Sequence, residues 1–208
     1  MKALKCFKPM NKRIVYIGAE RVGLVCLQKL MDLGKNVVAV LTADDSLEYK
    51  IADFVSFDEN VEKIPLYKVV NTKDPETMLL IKNLKPDLII VISWSQIIPK
   101  EILDYAPLGC IGIHYSLLPV RRGCAPLNWA IIDGLKKSGI TLFFYDAGVD
   151  TGDIIAQKEF EITDVDTPRE LLNKICILAP DIIKENIDSI EDGTVLRIKQ
   201  DERMATYT

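Results

Sequence analysis

The sequence predicts an α/β fold in which helices flank both faces of a mostly parallel sheet. An apolar run at 14–17 ends at Gly18, a stretch with helical spacing follows, and a second apolar run covers 37–41. This strand–helix–strand opening favours parallel strands in a Rossmann-like arrangement. The run at 87–92 has five apolar residues in six and predicts a central strand buried on both faces.

The first helix is predicted from apolar residues at helical spacing, Val22, Cys26, Leu30 and Leu33, and Gly34 ends it. The polar stretch 44–63 is expected to form a loop with a short helix. The next helix covers 75–84, with Asp74 as its cap and Pro75 at its first position. The following segments are expected to be a turn over 93–99, a helix over 100–105, a strand over 110–114, a loop over 116–126, a helix over 127–133 and a strand over 140–145.

The C-terminal third is predicted to contain a strand at 154–162 and a last helix that begins at Pro168. The core-facing stripe of this helix is Leu171, Ile175, Leu178 and Ile182. A final edge strand is expected at 194–198. We expect one domain over 1–208, with a core at about 13–190 and a C-terminal extension at 191–208.

Composition indicates an ordinary globular chain of 208 residues, 49% hydrophobic and 27% charged, with a formal net charge of -4. The acidic balance argues against a dedicated nucleic-acid binder. No apolar run approaches the roughly 18–20 residues that span a bilayer, and the basic segment 1–13 lacks the apolar stretch of a signal peptide. We therefore expect a cytoplasmic protein. The cysteines are expected to be reduced thiols, neither zinc ligands nor disulfides: Cys6, Cys26, Cys110, Cys124 and Cys176.

Two features stand out as candidate chemistry. His114, the sole histidine, closes a predicted strand, and ligands of open α/β sheets bind beyond the carboxyl ends of strands. Such a histidine either moves protons or is half-buried and bonded to backbone. The loop 146–153 holds three carboxylates and two glycines. It is either a solvated turn or a means of placing a carboxylate beside His114.

A resemblance decides between these alternatives. The matching segments are Gly112-Ile113-His114, Ser116-Leu117-Leu118-Pro119, Arg122-Gly123, Ala125-Pro126-Leu127-Asn128-Trp129-Ala130 and Gly148-Val149-Asp150-Thr151-Gly152-Asp153. Together they resemble the 10-formyltetrahydrofolate-dependent formyltransferases, whose core motif is Asn-x-His with a distant Gly-x-Asp-x-Gly-Asp. Asp150 follows His114 by 36 residues, which matches that family's spacing. The likeness covers nearly the whole chain.

The resemblance implies a formyltransferase fold, 10-formyltetrahydrofolate as formyl donor, no metal, and His114 and Asp150 as the catalytic pair. The residues it implies for folate binding are Ser93, Trp94, Ser95, Gln96, Ile97, Ile98, Asp146, Ala147, Gly148 and Val149. The residues it implies for the acceptor side are Ser116, Arg121, Arg122, Gly123, Ala125 and Pro126.

Gly112 departs from the family pattern because it stands where the catalytic Asn is usual. Loss of one donor to an oxyanion can lower a rate by about 10²–10³. Three explanations remain open. Water or a backbone N–H replaces the amide, the protein is a slow or specialised transferase, or it is a hydrolase that releases formate. An inactive relative is a smaller alternative.

The acceptor is expected to be a small-molecule amine, an amino sugar linked to a nucleotide. The stretch 122–129 resembles nucleotide-sugar N-formyltransferases, and the stretch Gly18–Gly23 is not the phosphate loop of glycinamide ribonucleotide enzymes. Methionyl-tRNA enzymes carry an added C-terminal domain, and this sequence stops near the expected end of the catalytic domain. Nucleic-acid and membrane partners are not expected, and a homodimer is left open. A dinucleotide-binding oxidoreductase and a non-catalytic binding module stay as alternatives, although Gly18–Gly23 lacks the G-x-G-x-x-G spacing.

Overall fold

In the computed structural model, which describes residues 12–58, 61 and 63–208, a seven-stranded sheet forms the centre of the molecule. Its strands are β1 (Ile14–Gly18), β2 (Val37–Ala43), β3 (Leu66–Val69), β4 (Leu88–Ile92), β5 (Cys110–His114), β6 (Lys137–Phe144) and β7 (Ile154–Glu161). The spatial order is β3-β2-β1-β4-β5-β6-β7. Strands β1 to β5 pair in parallel, whereas β6 and β7 are antiparallel. The expected mostly parallel sheet is therefore confirmed, with β4 at its centre.

Helices cover both faces of this sheet. They are α1 (Arg21–Asp32), α2 (Pro75–Asn83), α3 (Lys100–Leu103), α4 (Pro126–Ile132) and α5 (Pro168–Glu191), with 3-10 turns at Asp45–Lys50 and Glu202–Met204. Helices α1, α4 and α5 pack on one face, and α2 and α3 pack on the other. Each face has its own buried apolar cluster, so the sheet is shielded from water on both sides. This burial explains why every residue of β4 is apolar.

Two details differ from the sequence predictions. Strand β3 was not predicted, because it is a short edge strand with only Val69 fully buried. The expected edge strand at 194–198 was wrong, since only Ile198 bridges to the sheet, through Ile154. The backbone N–H groups of Thr194 and Val195 instead bond the Ser189 carbonyl at the end of α5, which draws the segment away from the sheet.

The predicted helix stripes are mostly correct. Leu171, Ile175 and Ile182 are buried, whereas Leu178 is only partly buried. Leu33 is 37% exposed because it lies at the C-cap of α1, where the chain turns at Gly34 with a φ of 67°. Cys6 and most of the basic segment 1–13 lie outside the described residues. No helix in the described part of the chain is both long and apolar enough to cross a bilayer.

Candidate active site

The candidate site lies at the carboxyl edge of β1, β4 and β5. These three strands are parallel neighbours, so the residues that follow them meet at one edge. Six non-glycine residues of the described chain have a positive φ, and four of them surround this edge: Ser93, Arg121, Ala125 and Asp150. Strained backbone of this kind concentrates where a protein shapes a functional site.

The ring of His114 is held from both sides. The side chain is buried, and Nε2 lies 2.7 Å from the backbone carbonyl of Arg121. A carbonyl oxygen only accepts hydrogen bonds, so Nε2 carries a proton. The other nitrogen, Nδ1, lies 3.5 Å from Asp150 Oδ2. That separation is longer than a normal hydrogen bond, so Nδ1 and the carboxylate lie side by side as a loose pair at the edge of the sheet.

Asp150 is fixed by its loop and by the opposite chain segment. Its Oδ2 accepts a hydrogen bond of 2.8 Å from the Gly123 backbone N–H. Its own carbonyl accepts a hydrogen bond from Gln200. The carboxylate therefore has one oxygen anchored and the other open to a ligand.

A cavity of about 350 Å³ opens beside this pair. It lies between the segment that follows β4 and the loop that follows β6. Every residue expected to bind folate lines it, except Ser93. Pro99, Lys100, Leu103 and Tyr145 complete the wall. The structure thus brings two segments about 50 residues apart in sequence to one cavity, whose size falls within the common range for small-molecule sites.

A second pocket of about 230 Å³ adjoins the first and contains His114, Tyr115, Ser93 and Glu20. Burial raises the pKa of Glu20 to about 7, with a smaller contribution from the charge of Asp53, while a hydrogen bond with Ser93 opposes the rise. A carboxyl group with a pKa near neutrality can exchange protons at the pH of a cell. Within the described residues, no three His, Cys, Asp or Glu side chains are grouped so as to hold a metal ion.

The residues expected on the acceptor side are not all brought together. Gly123 and Pro126 line the second pocket. Ser116 is buried and donates to the Val120 carbonyl. Arg121 pairs with Asp133 outside both pockets.

Arg122, which was expected on the acceptor side, lines neither pocket. Its side chain is fully buried and binds Gln200, Glu202 and Tyr207 of the C-terminal segment. Its guanidinium therefore holds that segment in place and does not reach either pocket.

The pocket residues that sequence reasoning missed include Glu20 and Tyr145. Glu20 was considered only as part of a segment that is not a phosphate loop, and Tyr145 only as the end of a strand. The available signal was position: Glu20 follows β1, and Tyr145 lies between β6 and the loop of Asp150.

This chain is similar in sequence to curated methionyl-tRNA formyltransferases, as two of them show. The methionyl-tRNA formyltransferase of Acetivibrio thermocellus is 38% identical over 203 residues, and that of Geotalea daltonii is 37% identical over 199 residues. Each alignment covers 94% of this chain but 64% of the relative. The chain therefore spans less than two thirds of the length of these relatives.

Solved structures show the same fold. Glycinamide ribonucleotide transformylase 1 from Symbiobacterium toebii superposes with a TM-score of 0.78 at 22% identity, covering 96% of this chain and 99% of that one. A sugar 3N-formyl transferase, solved in the presence of dTDP and 5-N-formyl-THF, gives a TM-score of 0.73 at 21% identity, covering 96% and 70%.

The family model described as formyl transferase matches residues 12–187, which include both pockets and the His114–Asp150 pair. This match extends over most of the chain, and the resemblance inferred from the His114 and Asp150 motifs is confirmed. The chain belongs to the formyl transferase family.

Proposed function

We propose that this protein transfers a formyl group from 10-formyltetrahydrofolate to a primary amine. The observation that carries the proposal is the adjacency of His114 and Asp150 to a cavity large enough for a pterin. The folate ring system would occupy the 350 Å³ cavity, with its formyl group directed at the junction with the second pocket. The acceptor amine would approach through the second pocket.

The chemistry is acyl transfer. The amine lone pair attacks the formyl carbon, and the carbonyl electrons move onto oxygen. With Nε2 protonated and bonded to the Arg121 carbonyl, a second proton at Nδ1 makes the His114 ring cationic, and Asp150 balances that charge. Asp150 has one free oxygen that can take the proton released by the amine. Collapse of the intermediate returns the electrons to a carbonyl and expels N10 of the folate, which takes up a proton.

Two acceptors merit direct comparison. Methionyl-tRNA comes first, because it is the substrate named for the relatives that share 37–38% identity with this chain. A nucleotide-linked amino sugar comes second, supported by the motif 122–129. The structure weakens the support that this motif gives to an amino-sugar acceptor, since the Arg122 side chain binds the C-terminal segment. An enzyme that uses water as its acceptor would release formate.

The test is to incubate the protein with 10-formyltetrahydrofolate alone, with methionyl-tRNA and with a nucleotide-linked amino sugar. Tetrahydrofolate, formate and the formylated amine are measured in each mixture. Tetrahydrofolate formed in step with a formylated amine would support the proposal. Formate formed at the same rate with and without amines would replace it by hydrolysis. No consumption of the folate in any mixture would contradict both.

A further inference from the structure

Tyr145 stands where the two pockets meet. Only a few residues line both of them: Trp94, Ser95, Tyr145 and Asp150. The formyl carbon of a donor in one pocket and an amine in the other must come together at this junction. A hydrogen-bond donor there faces the oxygen on which negative charge develops. The indole N–H of Trp94 is shielded from solvent and has no hydrogen-bond partner among the described residues.

Gly112 makes room for the Tyr145 side chain. Strands β5 and β6 pair Gly112 with Phe143, so Tyr145, two residues further along, lies on the same face of the sheet as Gly112 and His114. A Cβ atom on residue 112 would lie 2.7 Å from the Tyr145 hydroxyl oxygen and 2.6 Å from the Val91 carbonyl oxygen. The hydroxyl therefore occupies the space into which any side chain at position 112 would project.

The Tyr145 hydroxyl is free to bind a ligand. Its ring packs edge-on against Phe143, with centroids 5.0 Å apart, which fixes its direction. No hydrogen bond joins this hydroxyl to another described residue, and it is not among the buried unpartnered side-chain atoms of the described chain. Burial raises the pKa of Tyr145 far above its usual value, helped by the nearby Cys110 and Asp150, so the group stays protonated. A protonated phenol is a donor in a fixed position.

We propose that the Tyr145 hydroxyl donates a hydrogen bond to the formyl oxygen as the amine attacks, and so supplies the neutral donor for which Gly112 has no side chain. This inference rests on the proposed formyl transfer. The hydroxyl keeps its proton throughout: the new C–N bond forms, the carbonyl electrons reside on oxygen, and the hydrogen bond stabilises that oxygen until N10 leaves. Because the bond strengthens as the charge grows, it raises kcat more than it tightens binding of the ground state.

The test is steady-state kinetics of Tyr145→Phe with 10-formyltetrahydrofolate and the acceptor that wild type uses, or water if wild type releases formate. We expect kcat to fall by about 10², with little change in KM for the folate. Tyr105→Phe is the matched control, since its hydroxyl bonds the Lys82 carbonyl away from both pockets and its loss leaves kcat unchanged.

A second variant, Gly112→Ala, distinguishes loss of the hydrogen bond from a general disturbance of the site. Gly112→Ala places a methyl group against both the Tyr145 hydroxyl and the Val91 carbonyl oxygen and should also lower kcat. In the double variant Gly112→Ala/Tyr145→Phe, the two losses should be less than multiplicative, because part of the Gly112→Ala loss acts through the hydrogen bond that Tyr145→Phe removes. Fully multiplicative losses would overturn the inference.

The remaining outcomes are distinct. Equal kcat in Tyr145→Phe and wild type would overturn the role of the hydroxyl and leave formyl transfer standing. A raised KM with unchanged kcat would make Tyr145 a folate-binding group only, which also overturns the inference. A wild type that consumes no formyl folate with any acceptor would refute the proposed function, and the role of Tyr145 with it.

Discussion

Asp146 and Asp150 lie four residues apart in one loop, yet their side chains have different surroundings. Asp146 Oδ1 accepts hydrogen bonds from the Gly148 backbone N–H and the Thr151 hydroxyl, so it shapes the loop. Asp150 faces His114 and the junction of the pockets. The first carboxylate has a structural task that an amide oxygen can also perform, whereas the second needs its negative charge.

Asp150→Asn should therefore lower turnover of formyl folate by at least about 10², because an amide cannot take a proton or balance a cationic His114. Asp146→Asn should cost much less, since it keeps an acceptor oxygen. Asp164→Asn is the surface control, because Asp164 pairs only with Lys136. Initial rates of the three variants compare them directly, and a greater loss for Asp146→Asn would disprove this assignment.

Glu20 gives a prediction for stability against pH. The pKa of Glu20 is about 7 in the folded protein and 4.5 as its reference value. Between these values the unfolded chain has lost the proton and the folded chain keeps it, so the group makes folding less favourable as pH rises through this window. Glu20→Gln removes the titration. Its Tm should exceed that of wild type at pH 8 by about 2–4 °C, equivalent to roughly 1 kcal/mol, with little difference at pH 4.5. An equal difference in Tm between Glu20→Gln and wild type at both pH values would show that titration of Glu20 does not affect stability.

At the scale of elements, the connection between β6 and β7 contains the loop that lines the proposed folate cavity. Gly152 lies so close to β6 that a Cβ atom would sit 1.7 Å from the Phe144 carbonyl oxygen. No side chain can be accommodated there without moving the backbone. The loop 146–150 that lines the cavity would move with it.

Gly152→Ala should accordingly weaken formyl-folate binding by about 10-fold or more, since overpacking costs about 1–3 kcal/mol. Gly134→Ala controls for the loss of a glycine, because its φ is 65° but no atom lies within 4 Å of the added methyl group. Binding can be followed by the fluorescence of Trp94, which lines the cavity. Equal affinity in both variants would contradict the role of the turn.

The sequence predicted β4, β5 and the start of α5 well, because the apolar runs of the two strands and the proline at the first position of the helix, Pro168, are strong local signals. It did not predict β3, where pairing with β2 stabilises four residues of weak pattern. The residues expected to bind folate, except Ser93, line one cavity, whereas nothing in the sequence singled out Tyr145. The proposed role of Tyr145 depends on its contact with Gly112 across two neighbouring strands. Only the register of β5 and β6 reveals that contact.

At the scale of the whole molecule, residues 198–208 are joined to the loop that supports the site. The buried Arg122 binds Gln200, Glu202 and Tyr207. The next residue, Gly123, donates to Asp150. The C-terminal segment and the Asp150 carboxylate are thus connected through two consecutive residues, Arg122 and Gly123.

Arg122→Met should lower the free energy of unfolding by about 1–3 kcal/mol, the scale of lost hydrogen bonds to a charged group. It should also make the C-terminal segment easier to cleave in limited proteolysis and reduce kcat through Gly123. Arg203→Met is the control, because Arg203 is exposed and pairs only with Asp201. Wild-type stability and cleavage in Arg122→Met would show that the buried contacts contribute nothing.

The proposed formyl transfer through His114 is tested by measuring the consumption of 10-formyltetrahydrofolate by wild type and by His114→Ala. We expect wild type to form tetrahydrofolate and a formylated amine. We expect folded His114→Ala to be slower by at least about 10² while still binding the folate. Wild-type rates in a folded His114→Ala variant would contradict the proposed role of His114, and a wild type that leaves the formyl folate intact would contradict formyl transfer itself.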